Sequence, residues 1–170
     1  AEGDVAWHLR HLIELGEGAE LSLVEHHASS GEQRHLGTAC ADIVLRDGAV
    51  LHHTLYQDAA EGGSLIRRSQ LQLGAHAHAM LHVLELGGAL SRHDLQAELV
   101  GDGARFDTRG VFAVHARQHA DTQLSIRHRA LNTASDSAWR GVADQRGRGV
   151  FRGAILVAPA VWSRSDMPLS

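Results

Sequence analysis

Fourteen histidines and a single cysteine stand out among the residues of this 170-residue chain that could do chemistry. Neutral imidazole is a common metal ligand, so histidines spaced to converge are the first pattern to test. His76, His78 and His82 fall at even spacing, and on an extended strand such residues share one face. Two of them could share a metal ion, but zinc would need a third or fourth ligand from elsewhere in the fold. A solvated outer face accounts for them equally well. The adjacent pairs His26-His27 and His52-His53 point to opposite faces of a strand and cannot chelate as units. Cys40, between Ala39 and Ala41 where an apolar stretch toward Ile43 and Leu45 begins, reads as a small buried thiol. A lone cysteine excludes an internal disulfide and a cysteine-only metal site within the chain.

Two further groupings invite a catalytic or binding reading. Asp121, His128, Thr133 and Ser135 contain the residue types of a nucleophilic triad, but no glycine-flanked nucleophile elbow accompanies them. Stacked polar ladders are the plainer expectation. Arg140, Arg146, Arg148 and Arg152 lie in a glycine-rich stretch that could be taken for a phosphate cradle, yet no Gly-Lys-Ser or Gly-Lys-Thr follows.

The elements that must position these residues are strands. After residue 15 the apolar residues alternate with period two: Leu21 and Leu23, Leu71 and Leu73, and Leu95, Ala97 and Leu99. A recurring corner punctuates them, Glu17-Gly18-Ala19, Asp47-Gly48-Ala49 and Asp102-Gly103-Ala104, with a looser copy at Gly74-Ala75. Glycine supplies the positive φ of a tight corner. Steps of 30, 26 and 29 residues separate Gly18, Gly48, Gly74 and Gly103, and such a period marks a repeat architecture. Stacked coils bury only the inward half of each strand. Ala75, Ala77, Ala79, Leu81 and Val83 read as one inward line, with His76, His78, Met80, His82 and Leu84 outward.

Composition narrows the function. Net charge is −4 with basic residues scattered, so no nucleic-acid footprint shows. The apolar runs fall short of the roughly 20 residues of a spanning helix, and the expectation is a cytoplasmic protein without membrane contact. Residues 1–170 read as one domain, and both ends look cut, the last in the loop-like Ser163, Arg164, Ser165, Asp166, Met167 and Pro168.

From His119 onward the chain carries an ordered series: His119 and Asp121, His128, Thr133 and Ser135, Arg140-Gly141, then Phe151 and Gly153 before Ile155-Leu156-Val157. This series resembles the SufB/SufD family of iron–sulfur cluster assembly proteins. Weaker similarity extends upstream through Val24-Glu25-His26, Arg34-His35-Leu36 and Leu86-Gly87-Gly88-Ala89. The resemblance implies an all-β, right-handed parallel β-helix, a β-solenoid truncated at both ends, cut from a longer SufD-like chain. It implies a non-catalytic scaffold whose partners are a SufB-like subunit and a SufC-like ATPase, and it leaves a homodimer open. It implies no cofactor bound by this segment alone, the iron–sulfur cluster arising only in the assembled complex. The missing cysteines favour a SufD-like over a SufB-like chain. By the same resemblance, the coils that contact SufB and the helical segment that docks SufC would follow Ser170. The motif residues are expected to be structural, His119 and His128 bonding across coils with Asp121 partnering one of them, because buried polar groups must be satisfied.

Two other classes compete. A histidine-dependent metalloenzyme on a β-helix, similar to the gamma-type carbonic anhydrases, would bring a six-residue period, which is not visible. A carbohydrate-acting β-helix would bring paired carboxylates and exposed aromatic platforms, against three Phe, three Trp and one Tyr.

Overall fold

The computed structural model describes residues 5–31 and 34–158, so the tail at Ser163 to Pro168 lies outside the described residues. Among the described residues there are eleven strands and no helix: β1 Val5–Leu15, β2 Glu20–Ala28, β3 His35–Leu45, β4 Val50–Asp58, β5 Gly63–Leu73, β6 His78–Glu85, β7 Leu90–Leu99, β8 Arg105–Val114, β9 His119–His128, β10 Ala134–Ala143 and β11 Arg148–Val157. Odd strands stack as one parallel sheet, β1-β3-β5-β7-β9-β11, and even strands as another, β10-β8-β6-β4-β2. Each odd strand, a corner, and the next even strand make one coil. Five such coils form a β-solenoid, with β11 opening a sixth.

Parity decides what each strand buries. On the odd sheet the inward rungs near the corners are apolar, Ile43 beside Leu71, Ala97 and Ile126, and Leu45 beside Leu73 and Leu99. Leu51, Ala79 and Phe106 face them from the even sheet. Ala77, Ala79, Leu81 and Val83 are buried as the alternation requires, whereas Ala75 sits half-buried in the corner before β6 starts.

The corners repeat one backbone device. Gly18, Gly48 and Gly103 have φ of 63°, 68° and 71°, and the third and fifth corners use His76 and Asn132 at 56° and 54°. The third positive-φ residue is thus His76, not Gly74, and both substitutes belong to the types that tolerate the left-handed region best. These amides run between coils, Gly18 to the Asp47 carbonyl, Gly48 to Ala75, His76 to Asp102 and Gly103 to Leu131. Corner geometry therefore continues the ladder, and the stack holds its register at the bend.

Glycines at three inward rungs make room for aromatic rings on the adjacent coil. Trp7 lies over Gly37, Trp139 over Gly110 and Phe112 over Gly141, each pair in register. A Cβ at any of these glycines would overlap the ring.

Candidate functional site

Inward parity also carries polar side chains into the solenoid, on the half away from the corners. On the odd sheet Leu65 is followed by Arg67 and Ser69, and Ser91 by His93. On the even sheet Leu23 is followed by Glu25 and His27, Leu51 by His53, and Val83 by Glu85. The charged ones among them must find partners there, since an unpaired buried charge costs several kcal/mol.

These eight residues fall into two groups. In the first, Arg67 of the third coil reaches back past the second coil to Glu25 of the first. Its guanidinium is bidentate, Nη1 donating to Glu25 Oε1 at 2.5 Å and Nη2 to Oε2 at 2.9 Å. His53 Nε2 meets Glu25 Oε2 at 3.3 Å, and His27 Nε2 lies 2.7 Å from Oε1. The same His27 nitrogen is 2.9 Å from Arg67 Nη1; a guanidinium only donates, so this nitrogen either accepts from Arg67 or donates to Glu25. Arg67 Nε donates to Ser69 Oγ at 3.1 Å, and Ser69 sits 3.0 Å from His93 Nε2. Burial by itself would raise Glu25, but the bonds from His27, His53 and Arg67 and the guanidinium charge outweigh it and hold the carboxyl far below the usual range. Complete burial, aided by the nearby Arg67 charge, pushes His93 down to about 3, so its imidazole is neutral. Ser69 can then donate to His93 Nε2 while accepting from Arg67.

The second group centres on Glu85. Ser91 Oγ donates to its Oε1 at 3.2 Å and Thr122 Oγ1 to its Oε2 at 2.9 Å. Among the described residues no cation bonds it. Burial, reinforced by the Asp121 charge, pushes this carboxyl up to about 7 against the two hydroxyl bonds. Gln57 closes the edge, bonding the Gly87 carbonyl and amide at 2.9 and 3.2 Å.

This polar interior was not singled out from the sequence, although a signal existed: in Leu65-x-Arg67-x-Ser69-x-Leu71 and Val83-x-Glu85 the alternation itself puts charged residues at inward positions. Among the described residues no three His, Cys, Asp or Glu side chains converge as a metal-ligand group. His76 does not share a strand face with His78 and His82, because it occupies the third corner. His78 bonds Asp107 at 2.8 Å, and Arg105 bonds the same carboxyl at 2.8 Å. His82 points outward, in register with Thr54 and Arg109. His26 stacks on Tyr56 at 4.6 Å while its neighbour His27 turns inward.

Cys40 is exposed on the outer face of β3, Ala39 and Ala41 being the buried neighbours, which corrects the buried-thiol expectation. Its register partners on the adjoining strands are Arg10 and Arg68, a setting that linear sequence does not reveal. One equivalent of a thiol reagent should label the native protein, and Cys40→Ser should shift stability by less than about 0.5 kcal/mol. Labelling that waits for denaturant would contradict this placement.

The motif residues distribute as follows. His128 is buried, with Nδ1 2.8 Å from Thr133 Oγ1 and Nε2 3.0 Å from Ser135 Oγ. Its partners lie in its own coil, not across coils, because the corner folds them back over the ring. Asp121 does not meet a histidine: its Oδ2 accepts from Arg92 Nη1 at 2.5 Å on the outer face. His119 opens β9, its amide bonded to the Ala89 carbonyl at 3.0 Å. Arg140 is exposed on β10, and of the other arginines in that stretch Arg148 and Arg152 lie on the outer face of β11. Phe151 stacks on Trp139 at 4.9 Å, Gly141 accommodates Phe112, and Gly153 lies against the Phe151 ring.

Comparison with known proteins completes the description. The family model for the SUF system FeS cluster assembly, SufBD core domain, matches residues 1–165. The iron–sulfur cluster assembly protein SufD of Escherichia coli is 28% identical over 151 residues, covering 89% of this chain and 36% of that protein. An iron–sulfur cluster assembly SufBD family protein of Synechocystis is 21% identical over 159 residues, covering 89% of this chain and 35% of its own length. The chain spans about a third of the length of these curated relatives.

Proposed function

The chain belongs to the SufBD core-domain family of the SUF iron–sulfur cluster assembly system, and from that premise we propose that it is the solenoid core of a SufD-like, non-catalytic scaffold subunit. The observation that carries this reading is the family match across residues 1–165 of a chain folded as parallel coils. In this reading the parent protein works in the cytoplasm with a SufB-like subunit and a SufC-like ATPase, and the cluster is the cargo of the complex.

What supports the scaffold role physically is where the charged interior residues spend their bonds. Glu25 is bonded by both Arg67 and His53, and Ser69 ties Arg67 to His93, across four coils. Bonds that cross successive coils in this way stiffen a platform. Outer faces with paired charges, such as Arg10 with Asp42 and Arg127 with Glu98, suit contact with other subunits.

Co-expression of the full-length parent protein with SufB-like and SufC-like subunits tests the proposal. All three should co-elute on a size-exclusion column, and the purified parent protein should carry no stoichiometric metal. Separate elution, together with stoichiometric zinc in the parent protein, would favour a histidine metalloenzyme instead.

A further inference from the structure

The two buried glutamates sit in opposite settings. Glu25 has a bidentate guanidinium; Glu85 has two neutral hydroxyls. Between the two groups lies a small, partly open pocket of about 20 Å³, room for a single water. Gln57, Glu85, Ser91 and His93 are among its walls, and its titratable or charged lining also includes His27, Tyr56, Arg67 and Arg92. Both cations there are committed elsewhere, Arg67 to Glu25 and Arg92 to Asp121. His93 is fully interior, and Asp121 adds a like charge from β9. An isolated carboxylate in such a place is costly, and taking up a proton removes the cost.

We propose that Glu85 is a proton-binding site of the solenoid interior: its carboxyl carries a proton in the folded protein, its O–H donating to one of the Ser91 and Thr122 hydroxyls while the other donates to it, and exchanges that proton through the adjoining pocket. His27 and Leu65 line both this pocket and an open cleft of about 400 Å³ at the edge of the first three coils, so the pocket lies next to solvent on that side. Loss of the proton places an unpaired charge between β6, β7 and β9, so the third to fifth coils are tightest while the proton is bound. The site goes beyond the scaffold reading and does not depend on which subunits bind outside.

Carboxyl-carbon NMR of the full-length protein, labelled at glutamate side chains, reads the proton directly. One glutamate signal should titrate near 7 and be missing from Glu85→Gln. Thr122→Val removes a hydroxyl that favours the charged form, so its midpoint should move upward and the fold need not change. If every glutamate of the wild-type protein titrates in the ordinary carboxylate range, near 4.3, or if Thr122→Val leaves the raised midpoint where it was, the proposal is overturned.

Discussion

Replacing Arg67 by Met should destabilise the protein by about 3–5 kcal/mol, the usual cost of stripping one partner from a buried ion pair. The guanidinium provides both bonds to the Glu25 carboxylate from a cation and the Nε bond to Ser69. Met keeps much of the stem volume but leaves Glu25 without a cation in the interior. Coils of a solenoid ordinarily couple to their nearest neighbours only, whereas Arg67 joins the third coil to the first. Its loss should therefore broaden the unfolding transition as well as lower its midpoint, because the first coils would come away separately. Urea denaturation followed by circular dichroism measures both effects. Adding Glu25→Gln to Arg67→Met should recover most of the loss, since the orphaned charge is then gone. A double variant no more stable than the single one would show that packing, not charge, is at stake.

Acid should unfold the protein steeply below about pH 4.5. His93 is held neutral, so the stability this contributes is present above 6.5 and is lost as pH falls toward about 3. Glu25 is held charged, and its contribution is lost as pH falls below 4.5. Glu85 has the opposite sign: with its carboxyl raised to about 7, its contribution is complete below 4.5 and is lost as pH rises through 7. Between 4.5 and 6.5 the His93 and Glu85 contributions run against each other and the stability curve should be nearly flat. Below 4.5 His93 and Glu25 act together, each at about 1.4 kcal/mol per pH unit. Their combined slope of about 3 kcal/mol per unit consumes much of a typical domain's stability within two units. Thermal melts from pH 3 to 8 should show a plateau followed by a collapse. In Glu85→Gln the plateau should tilt, with stability rising toward pH 6.5. A curve that falls evenly from pH 7 to pH 3 in both proteins would contradict this assignment.

The solenoid was legible because its two strongest signals are local. Alternation at Leu71 and Leu73, or at Leu95, Ala97 and Leu99, follows from the side-chain period of a strand, and the glycine corners mark where each coil bends. The third corner was misplaced onto Gly74 because a histidine can take positive φ at modest cost and carries no composition signal for doing so. The polar interior was harder to read. Glu25, Arg67 and His93 are 42 and 26 residues apart in the chain, and only the stacking of coils brings them together. For the same reason Cys40 gave no sign of Arg10 and Arg68, each about one coil away. Motif residues were legible as a series, while their partners were not: the corner that returns Thr133 and Ser135 to His128 is a three-dimensional fact.

The scaffold reading meets its most direct test in reconstituted cluster assembly on an apo-acceptor protein by the SufB-like, SufC-like and full-length parent subunits together. Omitting the parent protein should abolish most cluster formation, whereas a triple variant, Cys40→Ser with His78→Ala and His82→Ala, should support assembly at the wild-type rate. A triple variant that joins the complex normally yet forms no cluster would show that this solenoid supplies ligands or chemistry, and the scaffold account would be wrong.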